Sequence, residues 1–416
     1  MLNYKEATMK QRKIVVTGMG MITPVGHNTE ESWRSLIEGR AGAAPISLFD
    51  TADLPVKFAA EVKDFDAASM MPRKLCRETS RFQQFAYIAA KEALDDSRLT
   101  PTPGRTGVMM GTAMAGIALI AQTQDRLSCS SSNEVSPRFT TMALGNIAAS
   151  QIAIALGING PSMTVSTACA SGGDAIALAA ERIMKDEADS MLAVGSESIL
   201  CPVMIRSLSR ANVLADREGD ISGASRPFDS QRNGFIIGEG GGALVLESEE
   251  HALKRGARIY GELAGWYNNM DGYHVVAPMP GAKGGITCIE AALQRAGVSP
   301  DQVGYINAHG TGTVKGDYED IESARGVFSE NIPPMSSIKG ATGHMMGAGG
   351  PVEAAICLLA IENGILPPTI NLDDPDPLAE GFNLVPKKSQ RRHIDIAISN
   401  VFGFGGQNSC LVLKRY

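Results

Sequence analysis

The sequence predicts an α/β fold made of two similar halves, and three observations carry that prediction. Short apolar runs rich in β-branched residues alternate with helical patterns along most of the chain, as buried strands crossed over by helices would. The length, 416 residues, exceeds what a single hydrophobic core usually serves, so two domains or one large two-part fold is expected. Finally, residues 163–185 and 335–362 each run from a short strand through a polar Gly/Ser/Thr turn, ending Ala-Ser-Gly-Gly or Gly-Ala-Gly-Gly, into an Ala-rich helix. A duplicated unit would look like this, and both turns would open onto one shared site.

The elements follow in order. Residues 1–11 are polar and lack the apolar stretch of a signal peptide, so they read as an N-terminal extension, with Met9 the expected natural start. Short apolar runs predict strands at 14–17, 107–111, 163–168, 191–195 and 243–246, and periodic or Ala-rich stretches predict helices at 30–38, 78–96, 140–156 and 170–185. A second series follows Tyr260, with helix 285–296, strand 304–308, helix 317–328, strand 335–338, helix 350–362 and strands 394–399 and 410–413. No repeat of solenoid or propeller period interrupts the alternation.

Composition narrows the function classes. Hydrophobic residues make up 44% and charged residues 20%, which is globular. A net charge of −7 argues against non-specific nucleic-acid binding. Seven cysteines, an odd number without a Cys-x-x-Cys pair, give neither a disulfide framework nor a zinc site and imply a reducing compartment. With no run long and apolar enough to span a membrane, the chain is expected to be soluble and cytoplasmic. Gly18-Met-Gly20 and Gly238-Glu-Gly240 lack the third glycine of a dinucleotide fingerprint, and neither a P-loop nor metal-ligand spacing occurs, so no cofactor and no metal are expected.

The candidate chemistry centres on Cys169, which falls between a strand pattern and an Ala-rich helix. A thiol at a helix N-terminus is expected to have a lowered pKa and to act as a nucleophile; its alternative is a small buried hydrophobe. Two of the six histidines, His309 and His344, lie in glycine-rich turns after strands. Hydrolases built on a cysteine need one imidazole, whereas two suit a reaction with two charge-handling steps. The loop Asn400-Val-Phe-Gly-Phe-Gly-Gly-Gln-Asn408 offers backbone N–H groups for an oxyanion hole, or is simply a hairpin turn.

Four ordered segments together resemble the elongating, type II β-ketoacyl-acyl carrier protein synthases of the thiolase-like superfamily: Ser166-Thr-Ala-Cys-Ala-Ser-Gly-Gly173, Asn307-Ala-His-Gly-Thr-Gly-Thr313, Lys339-Gly-Ala-Thr-Gly-His344 and the 400–408 loop. Segments 15–26 and 226–240 add to the likeness, which covers about residues 12–416. The resemblance implies a duplicated, five-layer αβαβα fold, with residues 12–258 carrying the nucleophile and 259–416 the catalytic histidines. It implies that Cys169 takes an acyl group from acyl carrier protein, that His309 and His344 promote decarboxylation of malonyl carrier protein, and that the N–H groups of Cys169 and Phe404 form the oxyanion hole. Lys339 would orient His344, with Glu353 and Asp317 in support. Thr311 and Thr313 would hold the phosphopantetheine arm, Phe404 would gate the site and Met114 would line the acyl pocket. Basic residues would dock the acidic carrier protein: Arg73, Lys74 and Arg77, with Arg81 on the same helical face, and Arg206 with Arg210. A homodimer is implied as well.

Departures bear on the substrate. Asn233 stands where the family often has Asp, Gln407 falls at a variable position, and the Gly-Thr-Gly-Thr after His309 is as much a polyketide as a fatty-acid pattern. Fatty-acid elongation is therefore set beside a type II polyketide or aryl-polyene ketosynthase. A non-catalytic chain-length-determining subunit would lack the nucleophile, and a thiolase would need a second cysteine that Cys410, flanked by strand residues, does not suit.

Overall fold

In the computed structural model, residues 12–129, 134–217 and 219–416 are described; the expected N-terminal extension lies outside them. Ten strands form one continuous sheet. The first five are β1 (Ile14–Ile22), β2 (Thr106–Gly111), β3 (Ser162–Val165), β4 (Ser190–Glu197) and β5 (Gly240–Ser248). The second five are β6 (Gly261–Met270), β7 (Tyr305–Asn307), β8 (Met335–Ser336), β9 (Ile396–Gly403) and β10 (Gln407–Lys414). Their order is β8-β7-β9-β10-β6-β1-β5-β4-β2-β3.

Read outward from the centre, each half has the same strand order: first, fifth, fourth, second, third. In each half the second strand is parallel to the third and fourth, and the fifth is antiparallel to the fourth and first. The duplication read from the two glycine turns is therefore a duplication of the whole topology. The halves join where Val15 and Val16 pair with Glu262 and Gly261.

Helices complete five layers. On the outer face of the first half, α1 (Arg81–Ser97) covers β1, β5 and β4, and α2 (Asn146–Leu156) covers β2 and β3. On the outer face of the second, α4 (Lys283–Ala296) covers β6 and β10 and packs on α5 (Val314–Phe328). Between the half-sheets lie α3 (Ser171–Met184) and α6 (Gly349–Asn363), in contact with each other and with strands of both halves. Residues 349–361 of α6 are buried on every side, which explains why that helix is apolar all round instead of striped.

Several element boundaries differ from expectation for local reasons. The 140–156 helix is two, Phe139–Ala143 and α2, because Leu144 is extended. The helix expected from residue 78 starts at Arg81, where Ser80 and Gln83 form a capping box, and Arg73–Glu78 is a separate turn of helix ending at extended Thr79. Strand β1 runs through Gly18 and Gly20 to Ile22, so that Gly-x-Gly is strand and no turn. Strand β6 and the helices Ile117–Cys129 and Pro202–Arg210 lie outside the expected elements, the last of them although its buried Ile205 and Leu208 share one face at a spacing of three. Among the described residues no helix is long and apolar enough to cross a membrane.

Candidate active site

The inner helices α3 and α6 bring the two glycine turns together, with Cys169 on the first and His344 on the second. The chain leaves β3 and turns at Ala168, whose φ of 51° is a left-handed conformation that costs energy in a residue with a Cβ. Ser171 Oγ holds the turn closed, accepting from Thr167 N–H at 2.9 Å and donating to the Ala168 carbonyl at 2.6 Å. Cys169 thus enters just ahead of α3 with its sulfur 2.9 Å from His344 Nε2 and 3.8 Å from Met346 Sδ. The backbone N–H groups of Phe404 and of Cys169 itself are directed at the same sulfur.

The expected lowering of the thiol pKa is not what the structure gives. Burial pushes Cys169 up to about 11, and the Phe404 N–H and the charge of Lys339 pull it back only in part. Sequence reasoning counted the helix N-terminus and could not count the desolvation, which here is the larger effect.

The two imidazoles meet edge to face, with ring centroids 5.1 Å apart and planes at 86°. Phe235 packs edge-on against His344 at 5.3 Å, and Phe402 against His309 at 6.4 Å. Cys169 Sγ and one nitrogen of each ring all lie within 4.8 Å of one another. Burial, and then the Lys339 ammonium, hold both histidines well below the usual range, so both are neutral at physiological pH. Each Nδ1 is buried without a partner, so the proton is best placed on Nε2, leaving two Nε2–H donors for the cleft. Two neutral donors facing one carbonyl oxygen stabilise negative charge developing there.

The supports are buried. Lys339 pairs with Glu353 on α6, both nearly inaccessible to solvent, so Lys339 is no surface lysine. Asp317 on α5 accepts from the Gly312 N–H at 2.9 Å and the Phe228 N–H at 2.6 Å and pairs with Arg232 at 3.2 Å, which fixes the turn after His309. Asp320, one helical turn on, accepts from the N–H groups of His309 and Gly310 at 3.0 and 2.6 Å. Thr311 and Thr313 line the cleft, their hydroxyls 3.0 Å apart.

The cleft over Cys169 has a volume of about 410 Å³ and is lined by His309, His344, Thr311, Thr313 and Phe404. Met114 does not line it: the side chain is 43% exposed, and the Met114 N–H is held by Glu197. Arg73, Lys74, Arg77, Arg206 and Arg210 are exposed, and the segment 211–213 directly after Arg210 lines the cleft. Arg81 leaves that set: the break at Thr79 puts it on α1, where it binds buried Glu239. Cys410 is fully buried inside β10. Sequence reading missed Met346, Phe235, Phe402, Asp320, Glu197 and Glu319. Asp320 lies three residues beyond Asp317 on the same helix, a spacing that could have found it. Glu197, whose carboxylate ties Ala113, Met114 and Gly347 N–H groups together, ends a strand whose middle, Met191–Val194, is apolar, and carried no such signal.

A duplicated five-layer fold that places a buried cysteine against two neutral histidines at the junction of its halves defines a thiolase-like condensing enzyme. Residues 11–252 match the β-ketoacyl synthase N-terminal domain and residues 260–373 the C-terminal domain, so the chain belongs to the β-ketoacyl synthase family. It is 40% identical over 416 residues to the 3-oxoacyl-[acyl-carrier-protein] synthase 2 of Synechocystis sp., covering 99% of this chain and 100% of that one. It is 40% identical over 415 residues to the enzyme of the same name from Vibrio harveyi, covering 98% and 99%. Among solved structures, the ishigamide ketosynthase/chain length factor superposes with a TM-score of 0.91 at 33% identity, covering 98% of this chain and all of that one. A type II polyketide ketosynthase in complex with its acyl-carrier protein superposes with a TM-score of 0.89 at 31% identity, covering 98% and 100%.

Proposed function

We propose that the chain condenses an acyl group held on Cys169 with malonyl-acyl carrier protein, releasing carbon dioxide and β-ketoacyl carrier protein, in cytoplasmic fatty-acid elongation. The observation that carries this reading is the triangle of Cys169 Sγ and two neutral imidazoles within 4.8 Å. Cys169 attacks the acyl-carrier thioester, its proton leaving with the carrier thiol, and holds the acyl group as a thioester. Malonyl carrier protein then enters, and the C–CO2 bond breaks as its electrons move into an enolate whose oxygen is held by Nε2–H of His309 and His344. The enolate carbon attacks the Cys169 thioester. The resulting oxyanion faces the N–H groups of Phe404 and Cys169, and its collapse expels the Cys169 sulfur. Lys339, Glu353 and Asp317 position the histidine turns, Thr311 and Thr313 hold the pantetheine arm, and Phe404, 37% exposed at the cleft, gates it.

Arg206 and Arg210, exposed on the helix that ends beside the cleft, suit an acidic carrier protein, with Arg73, Lys74 and Arg77 as a second patch. A homodimer across β3 is supported by that strand's open edge and by Ile154 and Met163 nearby, 78% and 43% exposed. The likeness to polyketide ketosynthases favours one second reading, elongation with a partner subunit. Activity of the purified chain alone with saturated acyl primers separates the two.

The test is single-turnover mass spectrometry. Wild-type protein should acquire the acyl mass from acyl carrier protein on Cys169, and Cys169→Ala should not condense. His344→Ala should still acylate while malonyl decarboxylation falls by about 10²-fold or more. A condensing Cys169→Ala variant would overturn the assignment.

A further inference from the structure

Glu319 lines the same cleft and has no part in the condensation described above. It lies on α5, 5% exposed, and its Oε1 is buried without a hydrogen-bond partner. A buried polar atom left unpaired in a native fold calls for a ligand or a cost. The charged groups facing it are Asp271, from the segment after β6, and Asp320 on its own helix, while Lys315 lines the cleft one turn earlier. Burial first, and then these two carboxylates, push Glu319 up to about 8, so at neutral pH it is a carboxylic acid with an O–H to give.

A substrate arm passing Thr311 and Thr313 needs donors. One hydroxyl proton of that pair is consumed between the two oxygens, which leaves a single spare O–H. A phosphopantetheine arm carries two amide carbonyls. We propose that Glu319 determines specificity for the carrier-bound arm, donating its carboxyl O–H to the amide carbonyl that the threonine pair leaves unmet. The inference rests on the carrier-protein reading above and adds a contact that sets KM and takes no part in bond making.

The experiment compares wild type, Glu319→Gln and Glu319→Ala with malonyl-pantetheine and with an amide-free malonyl thioester of ethanethiol, at pH 7 and pH 9. Ionisation at pH 9 removes the donor, so the wild-type KM for malonyl-pantetheine should rise about fivefold, the worth of one hydrogen bond. Glu319→Gln keeps an N–H donor and does not titrate, so its KM should stay low at both pH values, and Glu319→Ala should be high at both. With the amide-free thioester the three proteins should be alike, which separates this effect from ionisation of Cys169. Parallel pH profiles for wild type and Glu319→Gln would overturn the proposal even if Glu319→Ala fails to fold. Acylation of Cys169 by acyl carrier protein is followed in the same samples: its absence in wild type defeats the condensing reading, whereas normal acylation with an unmoved KM defeats the role of Glu319 alone.

Discussion

Gly173 and Gly350 meet backbone to backbone where the two halves join, so close that a Cβ on Gly350 would lie 2.3 Å from the Gly173 nitrogen. The approach lets α3 and α6 bring the Cys169 and His344 turns within hydrogen-bonding distance of each other.

Gly350→Ala therefore strikes both turns at once. No flexible side chain can move away, because the obstructing atoms are the backbone of Gly172 and Gly173. We expect a loss of about 1–3 kcal/mol in stability from overpacking. Condensation should fall by about tenfold or more, since the Cys169 to His344 geometry cannot survive the shift. Thermal denaturation and single-turnover condensation measure the two effects, and a variant with the wild-type melting temperature would show that the helices part without cost.

The raised thiol pKa predicts the chemistry of the resting enzyme. With Cys169 at about 11, only about one molecule in 10⁴ carries a thiolate at pH 7. Alkylation of Cys169 by iodoacetamide should accelerate about tenfold per pH unit from pH 7 to beyond 10, where an unperturbed thiol levels off near 8.5. A rate that is flat from pH 6 to 9 would mean that His344 and Cys169 rest as an ion pair, against the neutral pair found here.

The duplicated α/β fold was legible because both copies of the strand, glycine turn and Ala-rich helix survive in sequence, and with them Cys169 and His344 could be singled out, while His309 was marked by a glycine-rich turn of its own. What could not be read were balances between distant groups. The pKa of Cys169 depends on burial by chain that is far away in sequence, and Arg81 was misplaced because a break at Thr79 interrupts a periodicity that looks continuous. Glu319 escaped for the same reason: its neighbour Asp271 is 48 positions earlier, and nothing local marks it as buried. Met114, a position carried over by resemblance, lies outside the cleft over Cys169 and is 43% exposed in the single chain.

Lys339 and Glu353 allow the structural and electrostatic roles of the site's charge to be separated. Lys339→Met alone leaves the buried carboxyl of Glu353 without its partner, which should cost about 3–5 kcal/mol. Adding Glu353→Leu removes the stranded polar group, so the double variant should recover most of that stability. It should not recover the wild-type pH profile. Burial is the first cause of the low pKa of both histidines, and the Lys339 charge is the second. Without that charge each histidine pKa rises, so the acid limb of the condensation rate moves to higher pH, towards neutrality, as the imidazoles begin to protonate there. The reading fails if the double variant is stable and keeps the wild-type acid limb, because Lys339 would then serve packing alone. It stands if stability returns while the limb stays shifted, since a purely structural lysine has no means of moving it.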